Sequence, residues 1–174
     1  MVDLKDIRAF AFDVDGVFTD GGILCDVQGE LYRTFDSKDG FAVRMAVMHG
    51  YPCGIITGGR SESITARFLT SGVPAEDVYL GSRNKMEQLH AFCESHYLKA
   101  EQILYIGDDI PDMEVIRAVG IGMCPADAVP EVKEAADIVS NDRGGSQCVR
   151  HAIEMVMKAQ GTWTFDAVQY KKMF

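Results

Sequence analysis

Apolar positions along the chain fall into short, nearly continuous runs that alternate with longer stretches of helical spacing. The first run, Ile7–Phe12, is interrupted only by Arg8 and predicts a strand buried on both faces. After it, residues 23–27 and 30–35 flank a Gln28-Gly29 turn and alternate in polarity. They predict an antiparallel hairpin over about residues 22–35 that projects from the domain. From Ser37 the spacing turns helical, with Phe41, Met45 and Met48 on one stripe and Gly50 as a stop. A strand at 52–57 follows, then a helix capped by Ser61 that carries Ile64, Phe68 and Leu69 and ends at Gly72. Val78-Tyr79-Leu80 predicts a short strand, and 85–96 a helix burying Met86, Leu89, Phe92 and Cys93. The remaining elements are a strand at 103–106, a helix opened by Pro111 and stopped near Gly120, a strand at 137–139, and a helix over 147–159. That last helix turns Val149, Ile153 and Val156 inward. Strand alternating with helix predicts an α/β fold, a doubly wound parallel sheet interrupted by one early hairpin.

Composition narrows this picture. With 174 residues and 47% hydrophobic content, the chain suits a single domain over 1–174, with a tail from about residue 161 left to solvent or a neighbour. A charged start and the lack of any run near the ~18 apolar residues of a membrane helix lead to the expectation of a cytoplasmic protein. The five cysteines, Cys25, Cys53, Cys93, Cys124 and Cys148, are scattered without a paired spacing and read as reduced, mostly buried thiols. A net charge of -9 argues against a nucleic-acid surface. An anionic substrate would therefore depend on a metal ion and a few local cations.

Four short segments carry chemistry, and each ends a predicted strand or opens a predicted helix. Asp13 and Asp15, two apart in Asp13-Val14-Asp15-Gly16, place one carboxylate to act as nucleophile and another to exchange protons. Thr57-Gly58 ends the next strand, where a hydroxyl and backbone N–H groups could hold phosphate oxygens. Lys85 opens a helix at the same rim and could neutralise the nucleophile and a phosphoryl group. Gly107-Asp108-Asp109, with Asp112 one turn on, crowds carboxylates in a way that suits Mg²⁺. Asp13, the Asp15 carbonyl and Asp108 would suffice as ligands, with Asp109 and Asp112 in support. Taken singly, each segment also reads as an ordinary turn, cap or solvated charge. In order at successive strand ends, they describe a phosphate-ester hydrolase.

The order DxDG, Thr-Gly, Lys, GDDxxD resembles the haloacid dehalogenase superfamily. The hairpin directly after the first motif, with no cap domain, resembles its capless branch of phosphatases acting on 3-deoxy-D-manno-octulosonate 8-phosphate. The likeness runs over about residues 7–160 and includes Thr19-Asp20-Gly21, Phe35 through Gly40, Arg44, Arg67 and Asn84-Lys85, with Arg143-Gly144-Gly145 resembling the family's glycine-rich loop. It implies an aspartyl-phosphate on Asp13, acid/base chemistry at Asp15, phosphoryl stabilisation by Thr57 and Lys85, and Mg²⁺ at Asp108. It also implies substrate contacts at Asp15, Asp36, Ser37, Lys38, Asp39, Gly40, Arg44, Gly58, Arg60, Arg67 and Lys85. The further implications are a role in lipopolysaccharide biosynthesis and a homotetramer whose hairpins meet, each active site being completed by a neighbouring subunit. One departure stands out: family members often carry a basic residue directly after Thr-Gly, where this chain has Gly59 and then Arg60. Phosphatases for nine-carbon sugar acid 9-phosphates, the near alternative, often carry an acidic residue there. A noncatalytic sugar-acid-binding scaffold is the alternative of another class.

Overall fold

In the computed structural model, which describes residues 2–174, the first apolar run becomes β1 (Ala9–Phe12), buried at every position. The hairpin strands are short, β2 (Leu24–Cys25) and β3 (Leu31–Tyr32), and pair only with each other. The chain continues through α1 (Ser37–Met48), β4 (Cys53–Ile56), α2 (Glu62–Leu69), β5 (Val78–Tyr79), α3 (Lys85–Ser95) and β6 (Ile103–Ile106). After these come α4 (Met113–Ala118), β7 (Ile121–Cys124), α5 (Pro130–Ala135), β8 (Ile138–Val139), α6 (Cys148–Ala159) and α7 (Ala167–Met173). Three of these elements, β7, α5 and α7, are absent from the sequence expectations. Two of them, α5 and α7, are a turn or two long, and β7 follows α4 with only Val119 and Gly120 between, too little punctuation to separate the two by periodicity.

Six strands form one parallel sheet in the order β5-β4-β1-β6-β7-β8. Alternation along β1 explains its two layers. Phe10 and Phe12 join a core with α1, α2 and α6, whereas Ala9 and Ala11 face a second core built by α3, α4 and α5. Phe92 and Tyr105 are fully buried in that second layer, and Gly54 in β4 leaves room for the Phe92 ring, which a Cβ there would meet at 3.1 Å. Because the chain leaves β1 toward β4 on one side and returns to β6 on the other, β1 lies at the switch point of the sheet. Loops after neighbouring strands diverge there and leave a crevice.

One expectation changes. Leu69, placed on the apolar face of α2, is half exposed, because the helix ends with it; Ile64 and Phe68 carry the burial. The expectation of mostly buried thiols holds: four of the five cysteines are buried, and Cys25 is exposed on the hairpin. The tail folds back on its own chain: the Tyr170 hydroxyl accepts a hydrogen bond from Arg44 at 2.7 Å, and Gln169 donates to the Met48 carbonyl. Among the described residues, no helix is long and apolar enough to cross a membrane.

Candidate active site

The crevice at the C-terminal ends of β1, β4 and β6 has a volume of about 410 Å³ and is lined by all four chemical segments. Asp13 leaves β1 with its N–H still bonded to the Ile106 carbonyl of β6, so its backbone is part of the sheet. Its carboxylate meets the Lys85 ammonium at 2.7 Å, and the same ammonium meets Asp112 at 2.7 Å. Lys85 is buried, and its cost of desolvation is outweighed by the two carboxylates, which raise its pKa and keep it charged. Burial, and then the charge of Asp112, push Asp13 up to about 6 against the pull of Lys85. At neutral pH Asp13 therefore remains predominantly an anion beside a fixed cation.

Asp112 is fully buried and fully engaged. One oxygen accepts from Lys85 and from the Tyr105 hydroxyl at 2.6 Å; the other accepts from the backbone N–H groups of Asp108 and Asp109. It thus fixes both the Lys85 ammonium and the loop after β6, and has no oxygen to spare. Asp108 differs. Its carboxylate accepts no hydrogen bond from the described residues, and burial together with the charges of Asp13 and Asp112 raises its pKa to about 7. Carboxylate oxygens of Asp13, Asp108 and Asp112 lie within 4.8 Å of one another. An unpartnered acid crowded by anions fits a hard divalent cation, with Asp13 and Asp108 as the available side chains. Gly16 makes room for this: its φ is +79°, and a Cβ there would lie 1.9 Å from an Asp108 oxygen.

On the other wall, Thr57 is buried at the end of β4, and its hydroxyl accepts from the Gly59 N–H at 3.1 Å. Gly58, Ser82 and Arg83 complete this wall. The last two escaped sequence analysis because they lie in the irregular turn before α3, where no periodicity marks them. Arg33 escaped it too. Its Nε and Nη2 donate to the two oxygens of Asp15 at 2.6 and 3.0 Å, a forked pair joining the hairpin to the first motif.

The remaining predicted contacts lie outside the crevice of their own chain. Asp36 caps α1 through the N–H groups of Lys38 and Asp39, and Ser37 and Lys38 stand at that helix start. Asp39 is buried and accepts from the Arg150 N–H at the start of α6; burial raises its pKa to about 6. Gly40 lets the Arg67 guanidinium lie across it, where Arg67 covers the Phe35 ring and reaches Thr70 and Ser71. Arg44 donates to the Thr70 carbonyl and to Tyr170 and sits 5.2 Å from the Phe174 ring centre. Arg60 packs along Gly81 and lines a recess against the hairpin residues Gly29, Glu30 and Leu31. These groups are occupied by helix ends and aromatic rings, which explains why the single chain does not bring them to Asp13.

Comparison with known proteins adds to this geometry. Residues 60–153 match the family model of the haloacid dehalogenase-like hydrolases. The 3-deoxy-D-manno-octulosonate 8-phosphate phosphatase KdsC of Salmonella typhi is 33% identical over 161 residues, 92% of this chain and 85% of that protein. The crystal structure of the 3-deoxy-D-manno-octulosonate 8-phosphate phosphatase from Yersinia pestis superposes with a TM-score of 0.88 at 33% identity, covering 91% of this chain and 85% of that one. The Moraxella catarrhalis phosphatase of the same name, solved with a magnesium ion, phosphate and KDO, superposes with a TM-score of 0.87 at 28% identity, covering 92% and 91%.

Proposed function

The chain belongs to the haloacid dehalogenase-like hydrolases, and from that premise we propose that it is a Mg²⁺-dependent phosphatase of 3-deoxy-D-manno-octulosonate 8-phosphate. The observation that carries this is the Asp13–Lys85–Asp112 chain of ion pairs beside the unpartnered Asp108, at the switch point of the sheet. Asp13, Asp108 and the Asp15 carbonyl would hold the metal, which offsets negative charge on the phosphoryl group.

In the first half-reaction an Asp13 oxygen forms a bond to phosphorus while the bond from phosphorus to the sugar oxygen breaks. Asp15 gives its proton to that oxygen, so the sugar leaves as an alcohol. In the second, Asp15 takes a proton from water as the water oxygen bonds to phosphorus. The aspartyl–phosphorus bond breaks, and inorganic phosphate and the starting carboxylate are restored. Lys85 stays charged throughout, opposite the phosphoryl oxygens, with Asp112 and Tyr105 holding it in place. Thr57 and Gly58 supply donors on the facing wall.

The same proposal includes a cytoplasmic homotetramer, supported by the free thiols and by the exposed Ile23, Leu24, Val27 and Tyr32 of the hairpin. Subunits meeting through that ribbon would bring Arg44 and Arg67 of one chain toward the crevice of another. Purified protein assayed on a sugar-phosphate panel should favour the eight-carbon substrate over a nine-carbon 9-phosphate in kcat/KM and lose activity in EDTA. A preference for the nine-carbon ester corrects the substrate, and binding without turnover replaces the enzyme with a sugar-acid-binding scaffold.

A further inference from the structure

Among the described residues, Arg33 is the hydrogen-bond donor to the Asp15 carboxylate, whereas Asp13 has both Lys85 and the Val14 N–H. The Arg33 side chain is 2% exposed, although its neighbours in β3, Leu31 and Tyr32, are exposed. It is thus an inward arm of an otherwise outward ribbon. Position 59 explains how it fits. A Cβ at Gly59 would lie 3.2 Å from Arg33 Nη2 and 2.8 Å from an Ile64 methyl, so a side chain there would crowd the guanidinium.

Stability is a poor reason for this arrangement. A buried ion pair recovers little more than its desolvation cost, and Arg33 Nη1 is buried with no acceptor, which adds a penalty. A fork across both carboxylate oxygens does, however, fix the plane of the group, as a single contact cannot. Asp15 is the group that needs this in the proposed cycle: with one oxygen released from the fork to carry the proton and the other still held by Arg33, it must deliver that proton to the leaving oxygen and later take one from water at nearly the same place. We propose that Arg33 is the positioning residue for Asp15, and that Gly59 is the vacancy that admits it. The hairpin then orients the acid of its own chain's site. This rests on the phosphatase reading above.

The consequence is a dependence on the leaving group. A sugar alkoxide is a poor leaving group and needs a proton from Asp15, whereas p-nitrophenolate leaves without one. The value of kcat/KM reports steps only through departure of the leaving group, so for p-nitrophenyl phosphate it excludes the second use of Asp15. In Arg33→Ala, kcat/KM for 3-deoxy-D-manno-octulosonate 8-phosphate should fall on the order of tenfold to a hundredfold, and that for p-nitrophenyl phosphate by no more than about threefold. Arg33→Lys, which keeps a charge and one contact, should recover part of the sugar-phosphate rate. Gly59→Ala should show the same selective loss to a smaller degree, without removing any donor.

Both substrates are read on one preparation of each variant. A folding, assembly or phosphate-binding defect lowers both rates together, and that result overturns the proposal, as does an Arg33→Ala protein that keeps its sugar-phosphate rate. A wild-type protein without sugar-phosphate turnover refutes the phosphatase reading itself, which separates the two failures.

Discussion

Every residue of β1 is buried, whereas both residues of each hairpin strand are exposed, and residues 13–23 connect the two regions. In β1, burial on both faces and hydrogen bonding to β4 and β6 leave one conformation, so Asp13 at its end is held by the sheet. The two-residue strands of the hairpin bond only to each other, and such a ribbon has little stability alone. Its inward contact is made through Arg33. The contrast shows two ways of placing a reactive carboxylate: Asp13 inherits its position from the core, and Asp15 receives it from a charged side chain on a peripheral element.

The sharpest way to break this comparison is to remove the nucleophile while leaving the sheet. Asp13→Asn should lower kcat by about a thousandfold or more with the melting temperature little changed, measured by phosphate release and thermal unfolding. Retained turnover would remove Asp13 from its role. Next in size, Phe12→Ala should cost about 3–5 kcal/mol in denaturant unfolding, because it opens a cavity between β1 and the core of α1 and α2. A cost under 1 kcal/mol would mean that β1 is not the rigid partner assumed here.

A third test uses pH. In the metal-free protein Asp108 holds its proton up to about 7 and Asp13 up to about 6, against an ordinary aspartate value of 3.8 for both. Between the unfolded and folded values the native state binds more protons, so stability of the metal-free protein falls as pH rises through that window. Magnesium needs the ionised carboxylates. The rise in melting temperature on adding Mg²⁺ should therefore be larger at about pH 8 than at about pH 6, by a few degrees. An equal or reversed shift would place the metal away from Asp108. The smallest effect belongs to the hairpin: Leu24→Ser should change the stability of the isolated subunit by less than about 0.5 kcal/mol, while light scattering shows a smaller assembly. A large loss of subunit stability would erase the distinction between the two regions.

Much of the crevice was legible because its residues sit at punctuation points. Asp13-Val14-Asp15-Gly16, Thr57-Gly58, Lys85 and Gly107-Asp108-Asp109 each follow a buried run or open a helix, and parallel topology carries such points to one edge. The family resemblance agrees with the solved Yersinia pestis phosphatase, which covers 91% of this chain with a TM-score of 0.88. Other features left no periodic trace. Ser82 and Arg83 lie in an irregular turn, and the engagement of Asp112 by four donors depends on Tyr105 and on a backbone geometry without a pattern of its own. The helix-end roles of Asp36 and Asp39 were hidden for a different reason: an acid at a helix start reads alike whether it faces a ligand, a cap or a second helix.

Hydrophobic periodicity and motif order were enough for five of the six sheet strands, the strand ends that carry the site and the class of chemistry, because burial on two faces and strand-end loops are local consequences of residue type. They could not assign the partners of the charged side chains. Arg33, Arg44 and Arg67 carry the same charge on similarly polar segments, yet one clamps Asp15, one lies under the C-terminal helix and one covers Phe35. Charge and length let a guanidinium reach many acceptors, and the acceptor it meets depends on which distant segments the core brings within a few ångströms.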